Sequence, residues 1–506
     1  MARFYRLVSL TLFSLLFLLK TPVSAAAAGR YFAFSPSAKD AYRKATSLRF
    51  AEAKLMLSQM QAAEPDNLMA LFVENYVDFF TVFIDEDKEE YRRLLKNMDK
   101  RLDKISRGDR SSPYYLYAQA EIRLQWAILR GKFGEYLTAI NETKQAYALL
   151  EENRRKFPDF VANQKSLGIL HALVGNVPDE YKWAIKLFGG MDGTIEQGLR
   201  EVESVIAHAR RERDFVFGEE SLVAYSFLLL HLGNQTETAW TTLKTANLNP
   251  SENPLAAFAL ANLAMKTGKN DEAIKILESC PTGGAFHPFH YRNFMLGLAK
   301  LQRLDWDAYK PLEAFVQQFK GMYGVKEAYQ KLAWFHLVAG DPTGYQTYIA
   351  KAKTNGSDRF EPDKAALREA NSGEMPDANL LRARLLFDGG YFQRAYDLLK
   401  NDAGVYASNP KLNLEYNYRM GRITHRMGRT QEAVRFFEQT IQTGEKSPLH
   451  FACNAALQLG TLHEEKKDWK NARAAYQKCL GINPDDYGAS LHARAKAGLN
   501  RLKNKG

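Results

Sequence analysis

Few groupings in this chain have the residue types and spacing for chemistry. His287 and His290 stand three apart beside Pro288, a spacing at which two imidazoles can share a metal, but no third ligand accompanies them. His463-Glu464-Glu465 begins like a zinc-protease helix, yet the position four residues after His463 is Lys467 rather than a second histidine. Gly268-Lys269-Asn270 lacks the remainder of a phosphate-binding loop, and no Gly-x-Ser-x-Gly elbow occurs. The carboxylates are dispersed as surface charge. The expectation is no catalytic residue, no metal and no cofactor.

A different set suits binding. Arg384, Tyr418, Arg422, His425 and Arg426 combine guanidinium groups with aromatic and imidazole rings. Such a set fits an acidic peptide, a terminal carboxylate or an anionic glycan. The plainer alternative is that these arginines are solvated or paired with neighbouring acids. The binding reading requires helices that bring the set to one wall.

Those helices show as a repeat. The small residues Ala383, Gly421 and Gly460 are separated by 38 and 39 residues. Around them recur Gly390, Phe392, Ala395 and Leu399, then Gly428, Ala433 and Phe437, then Trp469, Ala472, Tyr476 and Pro484. This is the pattern of a helical hairpin of about 34 residues with a lengthened turn. A small residue on the first helix faces one on the second, and Phe437 or Tyr476 fills the gap to the next hairpin. In this register Arg384 and Arg422 are equivalent, and Glu464 and Glu465 follow on the next unit. Leu260-Ala261, Leu296-Gly297 and Leu332-Ala333 repeat at 36 and 36 residues, with turns at Gly268 and Gly340. Each hairpin buries one face only against its neighbours, so the units must stack. The class is all-α, an α-solenoid of stacked hairpins of tetratricopeptide type, irregular in its N-terminal half.

The expected organisation is a leader over 1–25, an irregular helical region over 30–250, central repeats over 251–350, a polar linker-like stretch over 351–377 holding a short helix, and C-terminal repeats with a capping helix over 378–506. In the N-terminal block, Asn67–Ile84 reads as a long apolar helix rich in aromatics. Asp85–Arg110 reads as a charged helix with a solvated face. Leu167-Gly168 and Gly193 to Leu199 read as two halves of one hairpin, separated by an apolar insert near 179–188. Trp183, Leu187 and Phe188 of that insert could meet a membrane or a partner. Packing on the adjoining hairpin is the favoured expectation, because about ten residues make a marginal helix alone.

Composition is globular: 506 residues, 46% hydrophobic and 25% charged, with a net charge of +11. The basic excess hints weakly at acidic partners. Arg3 and Arg6, the apolar run Leu7–Leu19 and Val23-Ser24-Ala25 form a secretory leader, cleaved in the favoured reading and an anchor in the other. An exported protein, periplasmic or secreted, is expected. Of three cysteines, Cys453 and Cys479 fall at one end of a predicted hairpin; buried thiols are favoured over a single bridge.

The tract Leu167-Gly168, Pro178, Leu187, Gly189-Gly190, Gly193, Gly198-Leu199 resembles the tetratricopeptide repeat protein 39 family, which includes the fungal inclusion-body-clearance protein. The closing helix Leu491-His492-Ala493-Arg494-Ala495-Lys496-Ala497-Gly498-Leu499 is similar to that family's, with Ala493 and Ala495 in place of bulkier residues. Arg384–Tyr391 and Tyr416–Ile423 look closer to secreted repeat proteins of Bacteroidetes-type bacteria. The resemblance implies an α-solenoid with no enzymatic activity, acting as a scaffold or adaptor that binds a protein or peptide partner, with no nucleic acid. Peripheral membrane or lipid association through the insert is the alternative. The family's intracellular biology does not carry over to a chain with a leader.

Overall fold

The computed structural model describes residues 29–177, 190–233, 235–246, 248–503 and 505. The leader and the insert, with Trp183, Leu187 and Phe188, lie outside the described residues. Among the described residues the regular structure is entirely helical, apart from one isolated bridge between Tyr31 and Asn67. The chain divides into two compact units, Met1–Phe80 with Glu90–Gly218, and Thr81–Glu89 with Glu219–Gly506.

The first unit carries α1 (Pro36–Thr46), α2 (Phe50–Ala63), most of α3 (Met69–Asp85) and α4 (Lys88–Ile105), then α5 (Pro113–Phe133), α6 (Tyr136–Lys156), α7 (Ala162–Gly175) and α8 (Ile195–Arg211). Its core is aromatic. Phe34, Tyr42, Phe72, Tyr76, Tyr117 and Phe217 meet edge-on or tilted, with centroids 5.0–6.3 Å apart. Two buried polar pairs tie it together: Lys165 Nζ donates to Glu121 at 2.7 Å, and Trp126 Nε1 to Asn75 at 2.9 Å.

The charged helix α4 is not simply a solvated face. Arg101 is buried and pairs with Asp78 at 2.7 Å and Glu74 at 3.6 Å, both on α3. Helices α7 and α8 pack as one hairpin on either side of the insert. A Cβ at Gly198 would stand 2.6 Å from the Ala172 backbone nitrogen, and one at Gly168 2.7 Å from Val202, so only glycine allows this approach. His171 seals the hairpin, with Nδ1 against Glu201 at 2.5 Å and Gln197 at 3.0 Å.

The second unit opens with α9 (Gly218–His231) and α10 (Thr236–Lys244). Hairpins follow: α11 (Pro254–Lys266) with α12 (Asn270–Ser279), α13 (Tyr291–Arg303) with α14 (Tyr309–Gln318), and α15 (Val325–Val338) with α16 (Pro342–Thr354). The polar stretch holds α17 (Glu361–Ser372). Then come α18 (Ala378–Asp388) with α19 (Phe392–Leu399), the short α20 (Ala403–Tyr406), α21 (Pro410–Arg426) with α22 (Thr430–Gly444), α23 (Phe451–Glu465) with α24 (Trp469–Leu480), and α25 (Gly488–Arg501).

Local chemistry explains the boundaries. Asn253-Pro254 and Asn409-Pro410 start α11 and α21, with each Asn side chain accepting from the first free backbone N–H groups. Positive-φ glycines Gly268, Gly340, Gly390 and Gly428 make four of the hairpin turns; Leu304 and Lys467 take the left-handed position in two others.

The small residues work somewhat differently from the expected small-on-small contact. A Cβ on Gly421 would meet the Phe437 ring at 2.7 Å, and one on Gly460 the Tyr476 ring at 2.5 Å. The aromatic therefore fills the notch left by the glycine of its own hairpin. Tyr476 also presses on Gly498 of α25, and so reaches the next element. Cys453 and Cys479, on α23 and α24, are buried free thiols with Sγ atoms 3.6 Å apart.

The unit is tightly wound. The turn at Gly268 touches the turn at Gly390: a Cβ on Gly390 would stand 2.8 Å from Gly268 Cα and closer still to its carbonyl oxygen. Tyr391 OH donates to Asp271 at 2.9 Å, and Asn270 Nδ2 donates to Tyr391 OH at 3.2 Å. Further along, Arg368 on α17 pairs with Asp486 at 3.2 Å and lies over the Tyr487 ring at 5.2 Å. These contacts join residues separated by 121 and 118 positions. A gently curved solenoid, in which each repeat meets only its neighbours, would leave them apart.

Candidate functional site

The first helices of successive hairpins in the second unit, α15, α18, α21 and α23, pack side by side, as the inner wall of a stacked hairpin array does. On α15, the Trp334 ring is buried and its Nε1 donates to Glu369 at 2.7 Å. Two cations flank that ring: Lys331 Nζ at 3.8 Å and the Arg384 guanidinium of α18 at 4.7 Å from the centroid. Burial holds the Lys331 ammonium below its ordinary pKa. Arg384 is only loosely paired, 3.8 Å from Asp388.

One hairpin on, the Arg422 guanidinium lies 4.1 Å from the Phe387 centroid and 5.7 Å from that of Tyr418. Among the described residues no carboxylate stands within ion-pair distance of Arg422. Stacking on rings fixes the plane of the guanidinium and leaves its edge donors open. Tyr418 is buried, and its hydroxyl accepts from Asn454 Nδ2 at 2.7 Å. Beside it, Arg419 Nε donates to Glu415 at 2.8 Å, so that cation is neutralised locally.

Tyr418 also meets His450, the residue before α23. Its ring meets Phe451 at 4.5 Å, Tyr487 at 5.1 Å and Tyr418 at 6.2 Å between centroids. Burial first, then the fields of Arg384 and Arg419, push the imidazole pKa down to about 4; Glu415 opposes and Arg422 adds to the shift. The imidazole is therefore neutral near pH 7, in a positive field.

Of the five residues expected on the wall, three come together here: Arg384, Tyr418 and Arg422. His425 and Arg426 lie about one turn further along α21 with other partners. His425 Nε2 meets Glu465 at 3.0 Å, and the exposed Arg426 lies 5.1 Å from the Phe392 centroid. Glu464 ties α23 to its neighbours, accepting from Tyr476 OH at 2.6 Å and pairing with Arg501 at 2.8 Å.

Sequence reasoning missed His450, Trp334 and Arg419. His450 follows Ser447-Pro448-Leu449 and sits outside the helical register. The available signal was the pair His450-Phe451 entering a helix next to the predicted basic set.

Elsewhere, His287 Nε2 meets Asp85 at 2.8 Å rather than a shared ligand site with His290. Among the described residues no group of three or more metal-ligating side chains is assembled. In the first unit a cleft of about 380 Å³ is lined by Lys54, Lys100, Lys104 and Arg101. Its carboxylates Glu74 and Asp78 are engaged by Gln61, Arg101 and Asn97, so the floor is a closed polar network. No described helix is long and apolar enough to cross a membrane.

Residues 413–485 match the family model described as tetratricopeptide repeat. That segment carries tetratricopeptide repeats. It spans α21 to α24 and includes Tyr418, Arg422, His425, Arg426 and His450. No curated relative matches the chain.

Solved structures with some likeness include the P58(IPK) TPR domain, at 13% identity over 82% of this chain and 98% of that one, with a TM-score of 0.21. Yeast Tom70 shows 10% identity over 86% and 96%, with a TM-score of 0.23. Naa15/Naa10 bound to HypK-THB shows 12% over 92% and 78%, with a TM-score of 0.21. Scores this low carry no structural argument. The α-solenoid reading rests on the hairpins themselves and on the matched repeat.

Proposed function

We propose that this protein is an exported, non-enzymatic scaffold that holds an acidic peptide or protein segment on the inner wall of its C-terminal hairpins. The observation that carries the reading is Arg422, stacked on Phe387 and Tyr418 with its edge donors open and no carboxylate partner among the described residues. A guanidinium fixed in that way is prepared for a carboxylate, and each charge-assisted bond contributes about 1.5–3 kcal/mol. Arg384, fixed on Trp334, supplies a second such group. Export is supported by the leader residues Arg3, Arg6 and Leu7–Leu19.

The test uses fluorescein-labelled Glu/Asp-rich peptides against a scrambled neutral set, read by anisotropy. The acidic peptides bind, and binding weakens with added salt. Arg384→Glu with Arg422→Glu, confirmed as folded by circular dichroism, removes it. Unchanged binding by that double variant sinks the assignment of the wall. N-terminal sequencing of the native protein from its cell fraction tests export separately.

A further inference from the structure

The half-buried imidazole of His450 lies in the field of the open cations, and their chemistry couples. We propose that the site formed by Arg384, Arg422 and His450 takes up a proton together with its acidic peptide ligand, so that acidification tightens binding. The inference rests on the wall being a peptide site.

Groups on several elements lie around His450. From α18 comes Arg384, and from α21 come Glu415, Tyr418, Arg419 and Arg422. The rings of Phe451, which opens α23, and Tyr487, just before α25, close two further sides. Behind Tyr487 stands Arg368 of α17, itself paired with Asp486. The fields of Arg384, Arg419 and Arg422 act on the imidazole against that of Glu415. Without a ligand, a charge on the half-buried His450 would add to an existing positive excess, and the neutral form is favoured.

A peptide carboxylate seated on Arg384 and Arg422 reverses that balance. It brings negative charge next to the ring and offers an acceptor for an imidazolium N–H. The imidazole pKa therefore rises on binding. Proton uptake and ligand affinity are linked, so each promotes the other. The sign is fixed: with a free-site pKa of about 4 and a bound-site value returned to the ordinary histidine range, affinity gains about tenfold between pH 7.5 and pH 5.5. A site made only of arginines would show no such gain, because its charge is constant over this range.

The experiment measures the dissociation constant of the full chain for a Glu/Asp-rich peptide from pH 7.5 to 5.5. The same titration is run with a cysteic-acid peptide, whose sulfonates stay ionised throughout. Both tighten by about tenfold. Calorimetry in two buffers of different ionisation enthalpy shows proton uptake on binding at the lower pH. His450→Gln flattens the profile for both peptides, and histidine-selective NMR of the unaltered protein reports the His450 shift directly should that variant fold poorly. Binding that is independent of pH, or a slope that survives His450→Gln, overturns the inference while leaving the peptide site standing. No binding of either peptide at any pH overturns the site and this inference together.

Discussion

Replacing Gly390 with alanine tests the winding of the second unit. Two costs add there. Gly390 has φ +86°, which an L-side chain adopts at a cost of about 1–2 kcal/mol. Its Cβ would also enter the Gly268 turn, 2.8 Å from Gly268 Cα. The turns must then part, and that strains the Tyr391–Asp271 and Asn270–Tyr391 hydrogen bonds of 2.9 and 3.2 Å. Each such bond contributes about 1 kcal/mol net. The expected loss for Gly390→Ala is about 3–4 kcal/mol.

Gly428→Ala is the matched control. It has φ +75° in the equivalent turn of the next hairpin, and nothing stands within 4 Å of its Cβ. It carries the backbone cost alone, about 1–2 kcal/mol. Urea unfolding of both variants, followed by far-UV circular dichroism and by tryptophan fluorescence, gives the difference. Coincident transitions from the two probes are needed before free energies are compared, because long repeat arrays can lose cooperativity. If Gly390→Ala costs no more than Gly428→Ala, the two turns do not touch and the tight winding is refuted.

Two further outcomes follow from buried groups. Arg101→Met leaves Asp78 buried with only Asn97 as a partner, and should cost about 3–5 kcal/mol in thermal or urea unfolding; adding Asp78→Leu should restore much of it, and a loss below about 1 kcal/mol for Arg101→Met alone would show the pair to be solvated. The Cys453 and Cys479 thiols are buried with their Sγ atoms 3.6 Å apart. Refolding in the presence of oxidised glutathione, while the thiols are accessible, should join them as one disulfide, reducing the reagent to two thiols and leaving the protein lighter by two hydrogens, with a gain of about 3 kcal/mol. Alkylation of both residues after unfolding of the treated protein would refute this.

Much of the architecture was legible because it depends on short-range sterics. Ala383, Gly421 and Gly460 mark where two helices approach, and the turn glycines mark where φ must be positive; both are properties of a few adjacent positions. The hairpin of α7 and α8 was readable across its insert for the same reason, since Gly168 and Gly198 permit one close crossing. The burial of Arg101 was not legible, because a charged helix looks solvated until its partner on another helix is known. The Gly268–Gly390 contact was not readable at all. It depends on rotation accumulated over several hairpins, and a small change per repeat would separate those turns.

That accumulated rotation bears on the site as well. Arg384 and Arg422 hold equivalent places on successive hairpins, so a regular array predicts two equivalent surroundings. They differ because Arg384 shares the Trp334 ring with Lys331, whereas Arg422 rests on Phe387 and Tyr418. The strut from Arg368 to Tyr487 joins α17 to the start of α25 and brings a ring against His450. The winding thus gives a repeated arginine two different settings, one of them beside the ring that touches His450. If the surroundings of His450 are the functional part of the wall, loosening the strut with Arg368→Ala should weaken peptide binding without touching either cation that holds the ligand.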